Sequence, residues 1–269
     1  MRKCILAVII LLQAVALNAQ ELFVFTEPAS NMPAHTIGIR ATNLMMAEAN
    51  GTINYHLIPE IMWGVNQRLM FHVESFFSNR NTGFGWEGVG LYAKYRLYTR
   101  DTLYRHFRLA AYGRATTNNT PVHQEAIMTN AHNTGFELGF IGTKLLHKQA
   151  ISASLSYEHA LGNLGGNEYP AGQSANAINM SLSTGRLFYP RHYQNYKQTN
   201  INGMLELLGQ VLPESSQEFL DIAPSIQFIV NSQARIDIGY RQQLYSNMIR
   251  TAPNGLLIRF EYLFFDLLP

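Results

Sequence analysis

Arg40, His56, Glu60, His72, Glu74, Lys94, Arg96, Arg108 and Arg114 each occupy the polar position of a stretch whose alternate residues are apolar. Glu137, Glu158, Glu206, Asp221, Asp237, Arg241, Arg259 and Glu261 do the same in the second half. Side chains that alternate with apolar ones in a strand share one face, so these ionisable groups are expected to line a common interior. Basic residues dominate the fourth and fifth stretches and acidic ones the sixth to tenth. Two chemistries follow: a transverse field that selects polar solutes, or paired charges that fill and rigidify a narrow lumen. The sequence leaves both open.

Catalysis finds less support. An esterase on a barrel's outer face needs a serine nucleophile beside a histidine base, but His159 is followed by Ala160-Leu161-Gly162 and His72 by Val73-Glu74. No catalytic residue and no cofactor is predicted. The nine histidines are dispersed, and no pair has ligand spacing on one strand face. His123 and His132, in a long polar stretch, come nearest, so no metal site is expected. Neither a phosphate-cradling glycine loop nor a basic stripe is present, which argues against nucleotide or nucleic-acid partners.

The elements that position these residues are strands. In Leu256-Leu257-Ile258-Arg259-Phe260-Glu261-Tyr262-Leu263-Phe264-Phe265 the even positions are all apolar or aromatic, while Arg259 and Glu261 are charged. Ten residues fit the roughly 9–11 that a tilted strand needs to cross a bilayer. Eleven further segments carry the same period of two, from Ile37, Ile39 and Ala41 through Ile236, Ile238 and Tyr240. Pro59 interrupts the second and predicts a bulge or kink there. Ser78 to Gly85 reads as a polar loop, and Thr116 to Asn133 and Ala160 to Asn176 as longer ones; the turns near Gly64–Arg68 and His147-Lys148 are tight. Twelve strands return both ends to one side, here the periplasmic one, and closure removes edges that lipid would punish. The last strand must then pair with Ile37 to Ala41 of the first.

Composition agrees. Only 14% of residues are charged, against about 25% in ordinary domains. Arg2 and Lys3, the apolar run Cys4 to Leu17 and Asn18-Ala19 predict a secretory signal over residues 1–19. Its removal takes the single cysteine, excluding disulfides, and leaves 20 − 2 = 18 basic against 18 acidic residues. Residues 20–34 form a separate N-terminal segment. Its cluster Leu22, Phe23, Val24 and Phe25, followed by Pro28 and Pro33, either plugs the barrel mouth or packs on the rim. Residues 35–269 form the barrel.

Trp63-Gly64-Val65-Asn66-Gln67-Arg68-Leu69 resembles the aromatic-Gly-aliphatic-Thr/Asn-Asp/Gln-Arg-Leu turn of bacterial outer-membrane transporters. Gly85-Trp86-Glu87-Gly88-Val89-Gly90-Leu91-Tyr92-Ala93-Lys94-Tyr95-Arg96 is similar to a strand of the phenol-degradation (meta-pathway) transporter family. The resemblance covers about a quarter of the chain, and its motifs encode mainly turn and barrel geometry. The resemblance implies a Gram-negative outer-membrane barrel that admits small, often hydrophobic or aromatic molecules. The expectation is an all-β, single closed antiparallel transmembrane barrel acting as a passive channel, with a non-conducting structural barrel as the alternative and a lipid-modifying enzyme as a more distant one. Its partners would be outer-membrane lipid, the barrel assembly machinery and a small solute.

Overall fold

The computed structural model describes residues 23–48, 51–81, 83–102, 105–190 and 197–265; the signal segment, Leu22 and residues 266–269 lie outside them. Strands run β1 (Thr36–Ala47), β2 (Ile53–Gly64), β3 (Leu69–Asn81), β4 (Gly83–Thr102), β5 (Arg105–Asn118) and β6 (Gly135–Leu146). They continue as β7 (Gln149–Ala160), β8 (Asn176–Tyr189), β9 (Asn200–Leu212), β10 (Gln217–Val230), β11 (Ala234–Ser246) and β12 (Asn254–Phe264).

Each strand pairs antiparallel with its sequence neighbours, and β12 pairs with β1, closing the barrel. At the closing seam Ile37 faces Phe264, Arg40 faces Glu261 and Ala41 faces Phe260. The expected seam is therefore the one that forms. With every strand paired on both sides, no backbone edge is left for lipid to meet, which is the condition for spanning a bilayer with strands.

Alternation decides what faces where. Ile39, Ile61, Leu91, Leu138, Phe140, Leu155, Leu182 and Phe260 are exposed on the outer wall, while Arg40, Glu60, Tyr92, Glu137 and Glu158 point inward. Aromatics mark two levels of the outer wall. Trp63, Phe71, Tyr95 and Phe264 lie toward the rim where β1 begins, and Tyr55, Phe77, Phe84 and Trp86 lie toward the other. From Tyr55 to Trp63 is eight residues along β2. At about 3.3 Å per residue and a tilt of about 40°, that spans roughly 20 Å of height, close to the apolar band of a transmembrane barrel. No described helix is long and apolar enough to cross a membrane, which says nothing about strands.

Two expectations about local structure are corrected. Pro59 makes no bulge: it sits opposite Ala41 in an unshifted register with β1. Toward β3 the paired positions stop at Leu57 and resume at Glu60 in the same register. A residue without N–H thus interrupts the pairing toward β3 at Ile58 and Pro59 without shifting the register. Ser78 to Gly85 is not a loop either. β3 continues to Asn81 and β4 starts at Gly83, with Asn81 opposite Gly83 and register shifts after Phe76 and Ser78. Polar residues in a strand extended past the apolar band need no alternation, so nothing in their pattern marks them as paired.

Candidate lumen site and charge network

The segment 23–34 enters from the rim where β1 begins and is held by groups from strands all round the wall. Glu206 on β9 accepts the backbone N–H groups of Val24, Phe25 and Thr26, each at 2.9 Å, and the Thr26 hydroxyl at 2.6 Å. Lys94 on β4 donates to the carbonyls of Pro28 at 2.8 Å and Ser30 at 2.9 Å. Arg108 on β5 donates to the Ser30 hydroxyl, and the Thr143 hydroxyl on β6 accepts the Ala29 N–H. Phe23 and Val24 are buried beside Met204 and Leu257. Prolines at 28 and 33 keep this stretch irregular, so its polar backbone has to find side-chain partners, and the inward row supplies them.

Glu27 anchors the same segment electrostatically. Its carboxylate lies 2.9 Å from Arg40 and 3.4 Å from Lys94. Burial alone would raise it; Arg40 and Lys94 outweigh burial and hold it well below the usual carboxylate range.

The long connection between β5 and β6, residues 119–134, folds in from the opposite rim. Gln210 on β9 accepts the N–H of Ile127 and donates to its carbonyl, while Glu158 on β7 accepts both the N–H and the hydroxyl of Thr129. His132 bonds Arg80 on β3, and its ring lies 4.8 Å from that of His56 on β2. Ile127 joins an apolar cluster with Ala160, Ala177, Leu212, Phe219 and Met248. Nothing in the polar composition of this stretch announces the inward turn; Ile127-Met128 is its one apolar signal.

Between the two in-folded segments lies a cavity of about 210 Å³, with Phe25, Thr26 and Glu27 below and Ile127, Met128 and Asn130 above. Its walls mix Tyr92, Tyr112, Met180 and Phe219 with Arg114, Glu137, Glu158, Gln210 and Arg241. Tyr112 donates to Glu137 at 2.6 Å, and Arg241 to Asp221 at 2.5 Å. Apolar rings beside groups that can accept and donate make a chamber suited to small amphipathic solutes.

Of the charged positions singled out in the sequence, Arg40, His56, Glu60, His72, Glu74, Lys94, Arg108, Glu137, Glu158, Glu206, Asp221, Asp237 and Glu261 are buried, and Arg96, Arg114, Arg241 and Arg259 are part-buried. Their ion pairs run mainly between neighbouring strands, because facing residues of adjacent strands are only about 5 Å apart. Arg40 bonds Glu261 at 2.7 Å and Glu60 at 3.4 Å; Arg114 meets Glu137 at 3.2 Å and Glu74 at 3.4 Å. Arg235 joins Glu261 and Asp237, and Arg259 also reaches Asp237. Around the Glu60–Glu74 cross-strand pair, the described ion pairs thus link Glu27, Glu60, Glu74, Glu137, Asp237 and Glu261 with Arg40, Lys94, Arg114, Arg235 and Arg259. Arg96 lies apart from this network on β4, near Arg108 and Asp101. Pairing of β2 with β3 also gathers Glu60, His72 and Glu74, all buried, with one donor atom from each within 4.8 Å of the others. A search for ligand spacing along single strands misses this group, since cross-strand register creates it.

The fold and its lumen define a closed twelve-stranded barrel with an apolar outer wall and both mouths narrowed by its own chain. An outer-membrane channel from Pseudomonas putida F1 has the same architecture, with a TM-score of 0.56 and 12% identity over 90% of this chain and 100% of that one. The β domain of the Bordetella autotransporter BrkA gives 0.45 at 11% identity over 85% and 99% of the two chains, and Acinetobacter baumannii OccAB1 gives 0.43 at 10% over 87% and 66%. At such identities the first likeness is one of fold, and the other two are too loose to carry an argument. No protein-family model and no curated sequence matches the chain.

Proposed function

We propose that this protein is an outer-membrane channel of a Gram-negative bacterium, passing small solutes through a lumen narrowed by residues 23–34 and 119–134. The observation that carries the reading is the 210 Å³ chamber between the two segments, walled by both rings and charges. An engineered cavity of about 150 Å³ holds benzene, so a single substituted ring fits the chamber. The motifs around Trp63 and Trp86, which resemble the phenol-degradation transporter family, point the same way. The segment 23–34 acts as the plug, both termini lie on the periplasmic side, and residues 1–19 serve as an export signal. No catalytic residue is assigned.

A non-conducting barrel is the second reading, favoured by the density of buried ion pairs. Solute flux into liposomes separates the two. The channel reading expects passage of small aromatic solutes above empty vesicles, increasing when residues 23–34 are deleted. If the deletion variant folds and still passes nothing, the barrel is a closed scaffold.

A further inference from the structure

We infer that Glu60, His72 and Glu74 form a binding site for one divalent transition-metal ion, of the Zn²⁺ type, in the lumen wall between β2 and β3. Solute passage does not require it, so the inference stands apart from the channel reading.

Three observations carry it. The first is geometric: two carboxylates and an imidazole, each more than nine-tenths buried, bring donor atoms within 4.8 Å of one another. A tetrahedral ion with bonds of about 2.1 Å sets its donors about 3.4 Å apart, so side-chain rotation of about an ångström completes the shell. Such movement is open to these carboxylates. The contacts of Glu60 with Arg40 and of Glu74 with Arg114 are both 3.4 Å, looser than Arg40 makes with Glu261 at 2.7 Å and Glu27 at 2.9 Å, or Arg114 with Glu137 at 3.2 Å.

The second observation concerns satisfaction. Glu74 Oε2 and His72 Nε2 are both buried and have no hydrogen-bond partner, while His72 meets Glu60 through its other ring nitrogen, Nδ1, at 3.3 Å. A buried carboxylate oxygen and a buried ring nitrogen without partners are costly, and both are lone-pair donors suited to a cation. The third is charge. The surrounding network holds six carboxylates against the five arginine and lysine cations named above, an excess of one acidic group within that network. A bound cation would offset that excess. One nitrogen with two carboxylate oxygens favours a borderline transition ion over Mg²⁺, which prefers an all-oxygen octahedron. An ion there would tie β2 to β3 beside Arg40, the residue that also grips Glu27 of the in-folded segment.

The test uses the full chain folded in detergent, stripped with chelator and titrated with ZnCl₂ in a calorimeter. One equivalent is expected, binding at least tenfold more weakly in both Glu74→Gln and His72→Gln, with MgCl₂ giving no heat of binding. Retained heat-dependent gel mobility shows that each variant is folded. Should a variant fail to fold, the X-ray absorption spectrum of the zinc-loaded wild type decides, with an oxygen and nitrogen shell containing one imidazole expected. No binding to the stripped protein, unchanged affinity in folded variants, or a shell with several imidazoles overturns the site. None of these readouts depends on solute flux.

Discussion

The Glu206 carboxylate accepts the backbone N–H of Val24 at 2.9 Å across 182 residues of sequence. The same carboxylate takes the next two N–H groups and a hydroxyl, so one side chain replaces the ladder that an irregular segment cannot form. Glu206→Ala would leave the buried Val24 N–H without an acceptor, at about 1–3 kcal/mol, and take the same partner from the part-buried N–H groups of Phe25 and Thr26, which loosens this end of the segment. Expected results are proteolytic cleavage within residues 23–34 and a several-fold rise in solute flux. Unchanged protease resistance and flux would show that Glu206 does not hold the segment.

Arg40 is the hub of the closing seam, bonding Glu27, Glu60 and Glu261. Removing a cation from a buried cluster leaves uncompensated carboxylates and costs about 3–5 kcal/mol. Arg40→Ala should lower the temperature at which the folded gel band converts to the unfolded one, and Arg40→Ala with Glu261→Gln should recover part of the loss. If the double variant is no better than the single, the seam pair is not the origin of the effect.

Acid should release the other segment. His132 on the 119–134 connection faces Arg80 on β3, His56 on β2, His123 on its own loop and Arg241 on β11; burial first, then Arg80 and His56, hold its imidazole well below the usual value. A base whose value is depressed when docked binds its proton in the released state. Its contribution to docking is therefore complete above about pH 6.5 and declines as pH falls below it. Protease cleavage between residues 119 and 134 should be faster at pH 5 than at pH 7.5 in the wild type, and the difference should shrink in His132→Gln. Equal cleavage at both pH values in the wild type would rule the device out.

Much of the wall is legible in the sequence because period-two alternation is local. The stretches Leu256 to Phe264 and Ile151 to Tyr157 both show the outward row directly. The same alternation marks the opposite, polar row, on which Arg40, Glu60 and Glu158 are buried. The hairpin of Ser78 to Gly85 is not legible, because beyond the apolar band neither face needs to be greasy. Burial of Ile127 rests on Gln210, 83 residues away, and the grouping of Glu60 with His72 and Glu74 rests on the β2–β3 register; neither is written in any short window.

Gly64 closes β2 where the chain passes from the in-folded segment into β1. Its carbonyl accepts the His35 N–H at 2.7 Å, and a Cβ placed on it would press against the carbonyl oxygen of Pro33. That oxygen is backbone, so it cannot swing aside as the end of a flexible side chain would. Gly64→Ala should therefore push residues 32–35 off the wall and weaken the hold on the plug, while Ala at Gly51, an exposed turn position with open space around it, serves as a test of local turn strain alone. The measurement is solute flux together with the thermal midpoint of the folded gel band. Gly64→Ala should raise flux and lower the midpoint, whereas Gly51→Ala should lower the midpoint slightly and leave flux unchanged. Equal flux in the two variants would mean that the approach of Pro33 to Gly64 does not help to seat the segment.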